Sequence, residues 1–178
     1  MTSIIKVNNI QNSSGTAAMT IDGSSNVTFP QKIATNNLGT GAILQVITAT
    51  DSTERQTTSN SFVTASNTLI IQITPSSASN KIFVTCNMSY ITPSNTYSFF
   101  PTLFRDSTNL GDATRGFGNL FSGSNYNYSH ATLQVLDSPN TTSQVTYQPY
   151  IKVGANAGVG GINGTGTFST ITAFEVAG

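Results

Sequence analysis

Residues able to do chemistry are few in this chain, and they are scattered. His130 is the sole histidine and stands at the start of a strand-like stretch. On paper it combines with Asp137 and any of many serines into a nucleophile, base and orienting carboxylate. That chemistry needs a sharply presented nucleophile, and no Gly-x-Ser-x-Gly elbow accompanies the set. His130 therefore reads as a surface or rim histidine. The seven carboxylates place no acidic pair at the set separation that glycoside hydrolysis requires, and the chain has no Trp to line such a cleft. Gly158-Val159-Gly160-Gly161-Ile162-Asn163-Gly164-Thr165-Gly166 lacks the Gly-Lys-Ser/Thr and the following helix that hold a phosphate, so a flexible inter-strand loop is expected there. Arg105/Asp106 and Asp112/Arg115 bracket a turn as local ion pairs, each worth less than about 1 kcal/mol. The expectation is no enzyme, no cofactor and no metal.

One segment has the equipment of a binding site. Phe117, Phe121, Tyr126 and Tyr128 alternate with Asn119, Asn125 and Asn127, which sets stacking faces beside amides, as sugar recognition uses. Phe117, Asn125, Tyr126 and Tyr128 are candidate contacts for a glycan. The opposing reading is that these aromatics pack the sandwich or an axis between copies of the chain, as aromatics at such intervals often do.

Strands must position these residues. Leu69, Ile71 and Ile73 fall on one face of a first strand. Ile82, Val84, Cys86, Met88 and Tyr90 fall on one face of a second, with Lys81, Thr85, Asn87 and Ser89 opposite. This period of two marks half-buried antiparallel strands, and Pro75, having no amide hydrogen, ends the first near Thr74. Cys86 on the apolar face is a small core hydrophobe. It has no partner for a disulfide and no companion ligand for zinc. Further strands are expected at Ile43–Thr48 and at Tyr97–Arg105, the latter an edge or bulged strand because of Pro101. Others follow at 131–135, at 145–153 with Pro149 inside, and at Phe168–Val176, this last one central in its sheet. Roughly eight strands and no helical period predict an all-β protein: a single antiparallel β-sandwich of jelly-roll type over residues 39–178.

Residues 1–38 follow a different grammar. Ile4, Ile5, Val7 and Ile10, then Met19 and Ile21, then Val27 and Phe29 are short apolar beats between Asn/Ser/Gly and Asp-Gly turns. These side chains are too few to offset the entropy of ordering the segment, so the arm needs a surface to lie on.

Composition narrows the partners. Charged residues make up 8% of the chain against a usual share of about a quarter, and the formal net charge is zero. No Lys/Arg stripe of the kind that binds phosphate is present, which sets nucleic acid aside. No signal peptide and no membrane-spanning run is evident, so synthesis in a cytoplasm is expected. A surface of hydroxyls and amides with little self-repulsion suits close packing of identical copies or an outer coat.

Several phrases resemble a known group. Ile5-Lys6-Val7-Asn8-Asn9-Ile10-Gln11 with Ala18-Met19-Thr20-Ile21 resembles the N-terminal arms of structural proteins from marine tailed phages. Four further phrases are similar to the globular heads of phage fibre and capsid-decoration proteins: Gly41–Val46, Ile73–Ile82, Leu136-Asp137-Ser138-Pro139 and Ser169–Val176. The resemblance implies a homotrimeric virion component. Its arm would anchor on other virion proteins, of capsid or tail, through Ile4, Ile5, Val7, Ile10, Met19 and Ile21. Its head would be a jelly roll like those of tumour necrosis factor and complement C1q. It implies no catalytic residues. As a tail-fibre adhesin, the same chain would recognise host surface glycan.

Overall fold

Alternation of apolar and hydroxyl side chains dictates extended backbone, and in the computed structural model of the chain the regular secondary structure among the described residues is almost wholly strand. It describes residues 7–11, 13–29, 39–92, 98–121, 123, 126–154 and 158–178. Ile4, Ile5 and Asn125 lie outside the described residues. The chain divides into two units, Met1–Gly39 and Thr40–Gly178.

In the first unit β1 (Asn9–Gln11), β2 (Ala17–Ile21) and β3 (Val27–Thr28) form a three-stranded antiparallel sheet in that order. Asp22 closes the β2–β3 turn by accepting from the backbone N–H groups of Ser24 (2.8 Å) and Asn26 (2.9 Å). None of its described side chains is buried. Val7, Ile10, Val27 and Phe29 are each more than two-fifths exposed, while Met19 and Ile21 are half-buried.

The second unit is an antiparallel β-sandwich with jelly-roll crossings. Its strands are β4 (Ile43–Asp51), β5 (Arg55–Thr57), β6 (Val63–Thr64), β7 (Ile71–Ile73), β8 (Lys81–Thr92), β9 (Ser98–Arg105), β10 (Thr108–Asn109), β11 (Leu120–Phe121), β12 (Asn127–Asp137), β13 (Val145–Val153), β14 (Gly160–Ile162) and β15 (Ser169–Val176). One sheet runs β4-β15-β8-β12, with β14 and β5 extending it beside the end of β8. The other runs β10-β9-β13-β6, with β11 also on β9 and β7 also on β13. The C-terminal strand β15 lies between β4 and β8, the central position expected of it.

β7 and β8 do not pair with each other. β7 joins β13 in one sheet and β8 joins β12 and β15 in the other, so the Pro75–Asn80 connection crosses between sheets. Their apolar faces then meet across the core. Leu69, Ile71 and Ile73 on one side and Ile82, Val84, Cys86 and Met88 on the other are all at most 1% exposed. Phe99, Leu103, Leu133, Val145, Tyr147, Ile151, Val153, Ile162 and Ile171 complete the same cluster. At roughly 1.5–3 kcal/mol per buried large apolar side chain, this cluster is the main source of stability.

Two prolines sit inside central strands, and the ladder accommodates both in the same way. A residue's N–H and C=O point to the same side of a strand. The Pro101 carbonyl accepts from Phe117 N (2.9 Å) and the Pro149 carbonyl from Ala65 N (3.0 Å). Each proline thus turns its missing donor to a gap between two short strands, β10 and β11 for Pro101, β6 and β7 for Pro149. β9 is therefore not a free edge; two-residue strands cover its outer side.

The glycine-rich stretch departs from the expected loop. Gly160–Ile162 is the buried strand β14, bonded to both β8 and β5, and Gly164–Gly166 is a 3-10 turn. Residues without a Cβ show no apolar alternation, which hides such a strand. The glycines are required by contact: a Cβ at Gly161 would stand 2.1 Å from the Arg55 carbonyl oxygen.

Candidate functional site

The outward face of the β4-β15-β8-β12 sheet is laid out in rows by the strand register. Leu136, Phe83, Phe174 and Val46 stand side by side in one row. Gln134, Thr85, Thr172 and Thr48 form the next, followed by Thr132, Asn87, Thr170 and Thr50. None of these side chains is charged. Cross-strand hydroxyls join them, with Thr48 Oγ1 and Thr172 Oγ1 3.0 Å apart and Thr132 Oγ1 donating to Asn87 Oδ1 at 2.8 Å. In the apolar row the Phe83 and Phe174 rings lie 6.1 Å apart. Val46 and Leu136 are 53% exposed and neighbouring Ile43 is 58% exposed. Gly41, Ile43, Phe83, Leu136, Phe174 and Val176 line a shallow groove of about 460 Å³ at this end.

At the other end of the face the connection from β14 to β15 folds over β8. Thr167 Oγ1 and Ser89 Oγ are 2.6 Å apart, and Ser169 Oγ donates to Asn163 Oδ1 at 2.6 Å. The turn is held in the left-handed region at Asn163 (φ 59°), Thr165 (φ 58°) and Gly166 (φ 78°). For a β-branched residue such as Thr165 this is a strained conformation. Between this turn and β12 lies a cleft of about 580 Å³ lined by Asn87, His130, Gly166, Thr167, Phe168 and Thr170. Phe168 is 62% exposed.

The aromatic segment is dispersed. Phe117 is partly buried against the core and its N–H is bonded to the Pro101 carbonyl, so part of its ring packs on the sandwich. Tyr126 and Tyr128 are about half exposed, as is Phe121. Tyr128 shares the outward face of β12 with His130, and a Cβ at Gly164 would lie 3.0 Å from its ring. The contribution of Phe168 and Asn87 was invisible to a reading that followed aromatic spacing within one segment, since the two are eighty-one positions apart.

The acidic groups are engaged in holding the fold. His130 and Asp137 occupy opposite faces of β12 and cannot converge. Asp137 instead accepts from Arg105 NH1 (2.7 Å to both oxygens) and from the Tyr147 hydroxyl (2.6 Å). The ion pair of Arg105 is thus with Asp137, not with the adjacent Asp106. Likewise Asp112 accepts from the backbone of Thr114 and Arg115. The hydrogen bond to Asp137 raises the Arg105 guanidinium's affinity for its proton. Burial, with the bond to Asp137, pushes the Tyr147 hydroxyl far up. Asp51, at the end of β4, accepts from Ser66 Oγ (2.5 Å), Thr53 N (2.9 Å) and Arg55 Nε (3.0 Å). Burial opposes its ionisation, but these donors outweigh burial and hold the carboxyl well below the usual range. Among the described residues no three His, Cys, Asp or Glu side chains group as metal ligands, and no helix is long and apolar enough to cross a membrane.

No protein-family model matches the chain, and no curated protein matches it in sequence. Solved structures are similar in part. One is a chain of the infectious bursal disease virus particle, at 14% identity and a TM-score of 0.43, over 84% of this chain and 40% of that one. A mutant VP2 protein of infectious bursal disease virus gives 16% identity and 0.40, over 75% and 36%. The structure of the Gt strain of the same virus gives 11% identity and 0.36, over 91% and 47%. The chain spans less than half the length of these proteins.

Proposed function

We propose that this chain is a structural protein of a virus particle, a homotrimeric short fibre or head-decoration component of a tailed phage. Residues 1–38 are its anchoring arm. The observation that carries the reading is the outward face of the β4-β15-β8-β12 sheet, with its apolar row Val46, Phe174, Phe83 and Leu136 and Lys81 at its rim as the one Lys, Arg, Asp or Glu on these strands that faces outward. A face with a single charge at its rim can meet copies of itself with little like-charge repulsion, and apolar side chains left in water favour its burial. The arm supports the reading independently. Its three-stranded sheet buries none of its described side chains, and a sheet without a packed face is marginal in water. Val7, Ile10, Met19 and Ile21, with Ile4 and Ile5 outside the described residues, are the side chains assigned to contact with other virion proteins.

Sedimentation of the full chain tests the assembly. A trimer at micromolar concentration is expected, with L136K dissociating it while the far-ultraviolet circular dichroism stays unchanged. A well-folded monomer in the unsubstituted chain counts against the reading. Association with particles should be lost on replacing Val7 and Ile10 together by Asp.

A second function, attachment to host surface glycan, is favoured by the exposure of Tyr126, just before β12, and of Tyr128 on β12, whose outward face carries no acidic or basic group beyond His130.

A further inference from the structure

We propose that the cleft between Phe168, His130 and Asn87 binds a neutral saccharide unit, an assignment that rests on the glycan-attachment reading and moves its centre away from the segment 117–128. Four observations converge on this cleft. Phe168 precedes β15 and keeps most of its ring in solvent, where an apolar ring face can take the C–H face of a sugar. Asn87 accepts from Thr132 through Oδ1, which fixes the side chain and leaves its Nδ2 donors without a partner among the described residues. His130 is exposed beside it and brings a donor and an acceptor in the neutral imidazole. Thr170 adds a hydroxyl whose contact to Thr50 is a long 3.4 Å.

The wall is rigid, which matters for a weak ligand. The Ser89–Thr167, Thr167–Gly164 and Ser169–Asn163 hydrogen bonds pin the strained turn, so little ordering entropy is lost on binding. The volume falls within the range of roughly 300–1,000 Å³ usual for ligand sites. Tyr128, two residues from His130 on the same face, extends the surface for a second sugar ring.

The chemistry selects neutral sugars. Among the described residues no Lys, Arg, Asp or Glu lines the cleft, so neither an anionic sugar nor a cationic ligand finds a counter-charge there. The cleft is also compatible with assembly. His130 and Leu136 are six residues apart on β12, or roughly 20 Å at the rise of a strand, so burial of the apolar row leaves the opposite end open.

The test is saturation-transfer and titration NMR on the full chain with glucose, galactose, mannose, N-acetylglucosamine, maltose and cellobiose, and with glucuronic and sialic acids as charged comparisons. At least one neutral sugar should bind with a millimolar dissociation constant. F168A and N87A should each weaken it about tenfold with unchanged melting temperature, and Q134A on the same face should not. A preference for the acids overturns the proposal. Binding that survives F168A and N87A but is lost in Y126A overturns the cleft while sparing glycan attachment. Absence of binding by every sugar overturns both.

Discussion

Asn80 and Glu175, ninety-five positions apart, are joined by a 2.6 Å hydrogen bond from Asn80 Nδ2 to Glu175 Oε1, which ties the last strand to the connection between the two sheets. The same carboxylate accepts from Ser76 N (2.6 Å), Ser76 Oγ (2.8 Å) and Gln45 Nε2 (2.6 Å), and Asn80 Oδ1 accepts from Gly178 N (3.2 Å). Glu175 is 1% exposed and has neutral donors around it in place of a cation. Burial opposes its ionisation, but the donors prevail and lower its pKa from the usual 4.5.

E175Q sets an NH2 group against one of these donors, so a loss of about 2–3 kcal/mol at pH 7 is expected. The sign of the pH dependence follows. The folded carboxyl has the lower pKa, so the unfolded chain takes up the proton first as pH falls. The contribution is whole above pH 4.5 and fades as pH drops below it toward the folded value. Urea denaturation at pH 7, 5, 4 and 3 should show the gap between wild type and E175Q closing. A gap that stays constant to pH 3 would contradict the assignment.

Arg105, Asp137 and Tyr147 form a second internal anchor, where Asp137 at the end of β12 meets β9 and β13. Y147F removes one bond to a charged acceptor and should cost about 1.5–3 kcal/mol. R105M leaves the carboxylate buried without its cation and should cost about 3–5 kcal/mol. Because the two share Asp137, the double variant should cost less than the sum, and chemical denaturation of all four proteins measures that coupling.

The strands with side chains on both faces were readable from the residues alone. Ile82 to Tyr90 and Val145 to Val153 alternate without a break, and Ser169 to Val176 does so as well, with its inward face ending in the acid Glu175. What sequence spacing leaves open is which strands meet. The Ile71–Ile73 and Lys81–Thr92 strands share one connection yet belong to different sheets, because Pro75 and the polar turn carry no pairing information. Arg105 and Asp137 are thirty-two positions apart, so a reading of local charge joined Arg105 to Asp106 instead. Spacing alone does not show that Phe117 is partly buried against the core, with its N–H bonded to the Pro101 carbonyl. The cleft at Phe168 is hidden for a related reason: its residues come from β8, β12, β15 and the β14–β15 turn, and only the register brings them together.

Glycine positions distinguish contact from mere turn-making. Alanine at Gly161 would drive its Cβ into the Arg55 carbonyl, whereas nothing stands within 4 Å of a Cβ at Gly158. G161A is therefore expected to lift β5 from β14 at a cost of about 3 kcal/mol, seen as faster hydrogen exchange at Gln56 and Thr57. G158A should stay within about 0.5 kcal/mol of wild type.

Cys86 reports on whether the two sheets remain closed. It lies in register between Leu133 and Ile171, fully buried, and burial pushes its thiol up to about 12. A thiol reagent needs both access and the thiolate, and the native fold denies both. At pH 8 a disulfide reagent should leave Cys86 unmodified in native buffer while reacting within seconds in concentrated urea. The logarithm of the native rate should then rise in Y147F and E175Q in proportion to their loss of stability, because labelling requires the core to open. Immediate modification in native buffer would mean that the face formed by Ile82, Val84, Cys86 and Met88 is not covered by the opposing sheet.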